Sequence, residues 1–156
     1  MLVFPVFVFA QKTYILQETF AGLTSGDNTT TGGSGSAWAG NANFTTVDRA
    51  YQAGGMVKLG TSSLVGSITS KPLNLGANGG SFKIDFKVKG WTTVEGAIKV
   101  TVSGIATPQT VSYTAVMGSS STETKTLSFT GGTNNATIKI ETTAKRAYID
   151  EVEVYY

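Results

Sequence analysis

The sequence contains no cysteine and no histidine in its 156 residues. The lack of cysteine excludes disulfide bonds and cysteine-ligated zinc sites. The lack of histidine removes the commonest general base and zinc ligand, and every catalytic triad built on imidazole. Charged residues make up only 14% of the chain, and the net charge is +2 with the lysines scattered. This charge pattern does not provide the basic patch that nucleic-acid binding needs.

The residues that are abundant favour one exported β-domain. Glycine occurs 19 times, and serine and threonine are frequent, which is typical of β-rich extracellular proteins. Residues 1–10, MLVFPVFVFA, predict a signal peptide cleaved after Ala10, because Ala10 and Val8 fit the −1 and −3 positions of a signal-peptidase site. The apolar run is too short to span a bilayer. The run lacks a basic start, which is consistent with a truncated signal peptide, and a buried first strand is the alternative. Cleavage after Ala10 would leave residues 11–156 as the mature domain.

Alternation of apolar and polar residues predicts an all-β fold. In FKIDFKVKG, residues 82–90, every second side chain is apolar, as in a strand with one buried face. About nine such segments follow one another, separated by glycine-rich turns, which predicts an antiparallel β-sandwich. Residues 21–46 are rich in Gly, Ser, Thr and Asn without periodicity, and they predict a long loop.

Two acidic residues are in phase with apolar ones, one near each end of the domain. Asp150 alternates with Val152 and Val154, and Glu18 alternates with Leu16. A carboxylate on an apolar strand face is costly unless it is paired. Each acid therefore needs a partner.

Four stretches resemble the jelly-roll modules of secreted Bacteroidota proteins, which are related in architecture to carbohydrate-binding modules. They are ETF (18–20), GSITSKPLNL (66–75), FKIDFKVKGW (82–91) and KRAYIDEVEVYY (145–156). The resemblance covers residues 13–156. It implies a jelly roll, often found beside hydrolases or adhesive repeats, with a structural calcium ion between the first and last strands.

Glu18 and Asp150 are therefore predicted to bind Ca²⁺ together. Calcium takes six to eight oxygen ligands, and carbonyls from residues 27–28 or 41–48 could complete the shell. Two alternatives stay open. Arg146 or Lys145 could pair with one acid, or a β-bulge could turn Asp150 outward.

Sugar binding requires an aromatic ring that can stack on the apolar face of a pyranose, with polar groups around it. Trp91 falls on the lysine face of its strand, and Trp38 lies in the predicted loop. Tyr155 shares an outward face with Glu151 and Glu153. Trp38, Trp91 and Tyr155 are the candidate ligand-binding residues, although a single tryptophan is more often a core or anchoring residue. Tyr113 is in phase with apolar neighbours and is predicted to be core.

An enzyme is not indicated. Glu151 and Glu153 would lie about 7 Å apart along a strand, within the spacing of an inverting glycosidase pair. No third group is positioned to raise the pKa of either acid, and alternating acids on a solvated face are ordinary.

The sequence therefore predicts a secreted or surface-bound, non-catalytic module that binds a polysaccharide or surface glycan and contains a structural calcium ion. A tethered hydrolase or surface protein is a possible partner. Nucleic acid and a membrane span are not expected. The alternative is a structural or adhesive module without a sugar site, and the exposure of Trp38 and Trp91 distinguishes the two.

Overall fold

A computed structural model describes residues 11–31, 33, 35–118 and 121–156. These residues form eleven strands and one short 3-10 turn at Ala77–Gly80, and none of them forms a helix able to cross a membrane. The predicted signal peptide, residues 1–10, lies outside the described residues and stays a prediction. The strands are β1 Tyr14–Glu18, β2 Phe44–Asp48, β3 Ala50–Gln52, β4 Val57–Leu59, β5 Ser67–Ser70, β6 Phe82–Gly90, β7 Ile98–Val102, β8 Gln109–Val111, β9 Glu123–Phe129, β10 Ile138–Thr142 and β11 Ala147–Tyr155.

The strands form two antiparallel sheets that pack as a jelly-roll sandwich. The six-stranded sheet has the order β3-β4-β11-β6-β9, and β1 also belongs to it through pairing with β11. The five-stranded sheet has the order β2-β5-β10-β7-β8. The predicted all-β antiparallel sandwich is confirmed. The predicted adjacency of the first and last strands is confirmed as well, because Leu16 lies opposite Val154.

The main core lies between the two sheets, and β6 shows how alternation builds it. The even-numbered residues from Phe82 to Val88 point inward and are at most 3% exposed. Burying an apolar side chain of this size contributes about 1.5–3 kcal/mol, so these residues hold the sheets together. Tyr113 also belongs to this core, as predicted.

A second, smaller apolar cluster lies on the outer face of the six-stranded sheet. Tyr148 anchors it, because it lies opposite the outward-facing Lys89 while its neighbours Ala147 and Ile149 face the main core. Segments from outside the sheet cover this face and bury the cluster. Its members are Ala53, Met56, Trp91, Met117 and Tyr148.

A β-bulge in β11 reverses the predicted orientation of Asp150. Asp150 lies opposite Lys87 and Glu153 opposite Asp85, so the four residues from Asp150 to Glu153 span only three residues of β6. The bulged residue Glu151 has a positive φ of 44°. The prediction that Asp150 shares a face with Val152 is therefore wrong, because the extra residue shifts the alternation by one. The bulge was one of the alternatives that the sequence left open.

Two strands at the end of the glycine-rich stretch were not predicted. β2 pairs with β5 in one sheet, whereas β3 pairs with β4 in the other. Arg49, which lies between them, has a φ of 47°, and this reversal lets the chain pass from one sheet to the other. The segments were missed because three-residue strands and a strand with few buried residues carry little periodicity.

Candidate binding site

Trp38, predicted to lie on a binding surface, is part of the main core. The residue is 7% exposed, and its ring packs edge-on against Phe20 with centroids 5.6 Å apart. The Trp38 backbone N–H donates to the Ala50 carbonyl at 2.9 Å, which holds the glycine-rich stretch against β3. The expectation of an exposed ring is wrong, because this aperiodic stretch folds back onto the sandwich.

Trp91 lies outside the main core, as its position in the strand pattern predicts, but its ring is buried. The residue is 7% exposed and stacks on Tyr148, with centroids 5.8 Å apart and planes at 15°. The guanidinium carbon of Arg146 lies 4.5 Å from the Trp91 ring centroid. Met56 and Met117 belong to the same cluster. The expected exposure is wrong, because neighbouring segments cover this outer face of the sheet.

Arg146, one of the predicted partners of Asp150, binds Glu95 instead. The Arg146 Nη2 donates to Glu95 Oε1 at 2.6 Å, and its Nε donates to Oε2 at 3.0 Å. These hydrogen bonds hold the pKa of Glu95 below its usual value. The predicted ion pair between Arg146 and Asp150 is therefore not formed.

Glu18 is in phase with the core, as predicted, and N–H donors satisfy its carboxylate. Oε2 accepts hydrogen bonds from the side-chain amides of Asn41 at 2.7 Å and Asn43 at 3.1 Å. Oε1 accepts the backbone N–H of Phe20 at 3.0 Å. The two amides come from the segment preceding β2, so Glu18 fixes that segment against the end of β1.

Asp150 lies on the other face of the same sheet, beside Lys87. Its Oδ1 accepts the backbone N–H of Glu151 at 2.8 Å. Burial raises the pKa of Asp150, against the opposing effect of this hydrogen bond. The structure thus does not bring Glu18 and Asp150 together. In the described part of the chain no group of three or more acidic, His or Cys residues is arranged to hold a metal ion. The calcium site stays a prediction.

Tyr155, the third predicted ligand-binding residue, lines an open cleft of about 500 Å³. It lies opposite Lys83 on the outer face of the six-stranded sheet, where the alternation placed it. Tyr156, which is 40% exposed, lines the same cleft. We call this depression the Tyr155 cleft. It combines aromatic rings with polar side chains.

Polar side chains from several elements form the rest of the wall. Asn78 and Ser81 come from the 3-10 turn and the residue after it, and Ser128 and Thr130 come from the end of β9. Lys12 and Lys83 add two ammonium groups. The wall of the cleft therefore combines hydroxyl, amide and ammonium groups with the two tyrosines.

A network of charges fixes Tyr155 at the edge of the cleft. The Tyr155 hydroxyl donates to Asp85 Oδ2 at 3.0 Å. The Lys12 ammonium donates to the same oxygen at 2.9 Å and to Glu153 Oε2 at 2.9 Å. The Lys12 Nζ also lies 3.9 Å from the centroid of the Tyr155 ring. Lys12 thus connects the residues before β1 to the outer face of the sheet.

These contacts shift the pKa values of the network. Hydrogen bonds to Glu153 and then to Asp85 raise the pKa of Lys12. Burial opposes the ionisation of Asp85, but hydrogen bonds from Thr126, Lys12 and Tyr155 outweigh it, so its pKa is lowered. Burial, followed by the hydrogen bond to Asp85, raises the pKa of Tyr155. Near neutral pH Asp85 and Lys12 are therefore charged, and Tyr155 is protonated.

The outer face of the five-stranded sheet has threonine, lysine and glutamate side chains at its centre. Lys139 lies between Thr69 and Thr101 in the register. Glu141 accepts ion pairs from both Lys99 and Lys139, at 2.6 Å each. The described residues at the centre of this face offer polar groups without an aromatic ring, so it is the weaker sugar-binding candidate.

The two glutamates considered as a glycosidase pair are engaged separately. Glu151 forms an ion pair with Lys87 at 2.7 Å, and Glu153 forms one with Lys12 at 2.9 Å. The bulge at Glu151 also removes the simple alternation on which the pair was judged. The described residues therefore give no support to a carboxylate pair at this position.

Sequence reasoning found Tyr155 but missed the residues that surround it. The sequence could have indicated Asp85, since it is the one acid among the outward lysines of β6. It could not have indicated Lys12, because this residue precedes the first strand and its partners are 73 and 141 residues away. Lys12 comes next to Asp85 and Glu153 because β1 pairs with β11, and β11 in turn pairs with β6.

Comparisons with known proteins find similarity to solved structures only. No protein-family model matches the chain, and no curated protein matches it. A family 35 carbohydrate-binding module from Paenibacillus barcinonensis is 19% identical with a TM-score of 0.51, covering 70% of this chain and 90% of that one. The family 22 xylan-binding domain of Xyn10C from the same organism is 16% identical with a TM-score of 0.51, covering 95% and 97%.

A third solved structure contains the fold as part of a larger enzyme. It is a family GH115 4-O-methyl-α-glucuronidase with specificity for decorated arabinogalactans, 14% identical with a TM-score of 0.52. The match covers 94% of this chain but only 18% of that one. At identities this low the similarity concerns architecture. The chain has the jelly-roll sandwich fold that carbohydrate-binding modules share.

Proposed function

We propose that this domain is a non-catalytic carbohydrate-binding module that works outside the cell and binds a polysaccharide in the Tyr155 cleft. The observation that supports this most directly is an aromatic ring at an open cleft of about 500 Å³, on a fold common to carbohydrate-binding modules. Clefts of about 300–1,000 Å³ are the size in which proteins hold small ligands. In this proposal the domain is an accessory to a hydrolase or a surface protein.

The chemistry of the cleft suits a sugar. A pyranose has a face of C–H groups that stacks on an aromatic ring, and an edge of hydroxyl groups that needs hydrogen-bond partners. Tyr155 and Tyr156 supply rings, while Asn78, Ser128 and Thr130 supply polar groups. The proposed binding mode is one sugar ring on Tyr155, with its hydroxyls directed to the polar wall.

The charges around the cleft favour a neutral glycan. Lys12 and Lys83 contribute two positive charges, and Asp85 and Glu153 lie against Lys12 with two negative charges. These four charges balance. A ligand with a carboxylate would have to compete with Asp85 and Glu153 for the Lys12 ammonium.

Affinity gel electrophoresis tests the proposal. Gels containing soluble xylan, arabinogalactan or a panel of neutral and acidic glycans should retard the wild-type domain in at least one neutral case. Tyr155→Ala should abolish the retardation. Tyr51→Ala is the matched control, because Tyr51 is a half-buried tyrosine whose ring contacts Lys58 instead. Equal retardation of wild type and Tyr155→Ala would contradict the proposed site.

A structural or adhesive module without a sugar site is the second candidate. The burial of Trp38 and Trp91 favours it, because packed tryptophan rings leave no stacking surface at these positions. The same gel experiment separates the candidates. Migration of the wild-type domain unaffected by every glycan would favour the adhesive function.

We propose separately that the domain binds a structural calcium ion. Its support is the in-phase position of Glu18, whose carboxylate is held by the side-chain amides of Asn41 and Asn43 from the segment predicted to complete the shell. In the present arrangement the residues do not form a calcium shell, because Glu18 accepts N–H donors on both oxygens. Calcium would have to displace these donors, and an ion shared with Asp150 would also need the bulge to rearrange.

A further inference from the structure

We infer that Lys12 controls access to the ring of Tyr155, and that a sugar which stacks on this ring must first displace the Lys12 ammonium group. The inference rests on the proposed function, since it concerns the same cleft. It identifies Lys12 as a specificity-determining residue that competes with the ligand.

The geometry places Lys12 where a sugar would stack. Its Nζ lies 3.9 Å from the centroid of the Tyr155 ring, well within the distance of about 6 Å at which a cation is attracted to a ring face. Lys12 and Tyr155 both line the cleft. A pyranose in contact with the same ring face would occupy the same space, so the ammonium group and the sugar exclude each other.

Two ion pairs hold the ammonium group in this position. Asp85 and Glu153 each accept a hydrogen bond from Nζ at 2.9 Å. They come from neighbouring positions on β6 and β11, opposite each other in the register. Together with the Tyr155 ring they form a three-sided cage that the Lys12 side chain fills.

The Lys12 side chain is nevertheless able to leave. It is 36% exposed, and the carboxylate of Glu153 is 28% exposed, so water can replace this ion pair, whereas the carboxylate of Asp85 is 14% exposed and is the costlier partner to leave. Partly exposed ion pairs contribute little each, and salt weakens them further. Displacement of Lys12 is therefore a modest cost that a good ligand can overcome and a poor one cannot.

The competition predicts an unusual response to salt. The apparent affinity of a site that is open only part of the time is reduced by the open fraction. Salt weakens the Lys12 ion pairs, so it should increase that fraction and strengthen the binding of a neutral glycan. Binding that depended on attraction between a charged ligand and Lys12 would weaken with salt instead.

The experiment measures dissociation constants for soluble xylan and arabinogalactan at low and high NaCl concentration. Lys12→Ala should bind about three- to tenfold more tightly than wild type at low salt, the effect of losing one or two weak ion pairs. Its affinity should no longer increase with salt. Lys99→Ala is the matched control, since Lys99 also loses an ion pair, to Glu141 at 2.6 Å, but belongs to the other sheet. It should bind and respond to salt as wild type does.

Nuclear magnetic resonance provides a direct readout of displacement. In the free wild-type domain, the ε-methylene protons of Lys12 should be shifted by the ring current of Tyr155. Saturating xylan or arabinogalactan should return them to the ordinary lysine position. Protons that keep their ring-current shift while the glycan is bound would overturn the inference.

The outcomes distinguish the inference from the proposed function. Weaker binding by Lys12→Ala would make Lys12 a direct contact of the sugar, and unchanged binding would show that it does not compete. Either result overturns the inference alone. If neither wild type nor Lys12→Ala binds any glycan, the proposed function is contradicted together with it. Binding by Lys12→Ala in the absence of wild-type binding would support both.

Discussion

Glu95 binds the guanidinium of Arg146 through two hydrogen bonds, of 2.6 and 3.0 Å, and also accepts the Arg146 backbone N–H at 3.1 Å. Glu95 lies between β6 and β7, and Arg146 lies between β10 and β11. Both side chains are at most 19% exposed. The pair therefore fastens two loops at one end of the sandwich, and a partly buried, bidentate pair of this kind contributes more than an exposed one.

Glu95→Gln should lower the free energy of unfolding at pH 7 by about 1–3 kcal/mol, because the charge-assisted bonds are lost. The folded-state pKa of Glu95 is lowered, mainly by its bonds to Arg146. Its contribution is therefore present above the pKa of an unfolded glutamate, about 4.3, and is lost as pH falls through the lower folded value.

Urea unfolding between pH 7 and pH 2 measures this effect. The difference between wild type and Glu95→Gln should shrink as the pH falls below about 4.3. Lys87→Ala is the control, since its exposed pair with Glu151 should contribute less than about 1 kcal/mol. A difference that stays constant down to pH 2 would show that ionised Glu95 is not what stabilises the fold.

Trp91→Ala should destabilise the domain by about 3–5 kcal/mol, the cost of removing a large buried aromatic side chain. The ring stacks on Tyr148 in the outer cluster, and its loss leaves a cavity. Thermal unfolding measures the loss, and gel retardation by a glycan below the melting temperature should be unchanged. If the variant keeps the wild-type melting temperature but is no longer retarded, Trp91 contacts the glycan and is not needed for stability.

Glu151→Gly should stabilise the domain by about 0.5–1 kcal/mol. Glu151 has a φ of 44°, a conformation that costs residues with a Cβ about 1–2 kcal/mol and costs glycine almost nothing. The greater conformational freedom of glycine in the unfolded chain and the loss of the exposed pair with Lys87 offset part of the gain. Chemical denaturation measures the change.

Glu153→Gly is the matched control for the bulge. Glu153 is also ion-paired and lies two residues further along β11, but it pairs regularly with Asp85. Glycine there should destabilise by about 0.5–1 kcal/mol or more. Destabilisation of similar size by both variants would argue against a left-handed residue at position 151.

Calcium removal tests the remaining metal proposal. A ligand that binds only the folded state contributes about 2.7 kcal/mol at a hundred times its dissociation constant. Chelation should therefore lower the melting temperature by several degrees, and added calcium should restore it. Glu18→Gln should remove this response. Asp150→Asn should remove it too only if the ion joins both acids.

A wild-type melting curve that chelation does not change would contradict the calcium proposal. Glu18 would then be explained by its bonds to Asn41 and Asn43 alone. The control compares Glu18→Gln with wild type when both are in chelator, which reports how much those bonds contribute independently of any metal.

The Tyr155 cleft shows which residues of a candidate binding site the alternation pattern can predict. Alternation placed Tyr155 and Glu153 on the outward face of β11, and the structure confirms both positions. It could not find Lys12, whose partners lie in strands distant in sequence. Nor could it indicate that an ammonium group covers the ring, since that depends on where the residue before β1 meets the sheet.

Side-chain alternation predicted about nine of the eleven strands and the sandwich, because alternation along a strand is a local property that needs no knowledge of neighbours. The tertiary structure decided the exposure of Trp38 and Trp91, which depends on distant segments that cover them. It also decided the face of Asp150, because one extra residue at Glu151 reverses the alternation within β11. A bulge depends on the register between two strands, and burial depends on which other segments pack over a residue. The periodicity of a single segment therefore predicts neither.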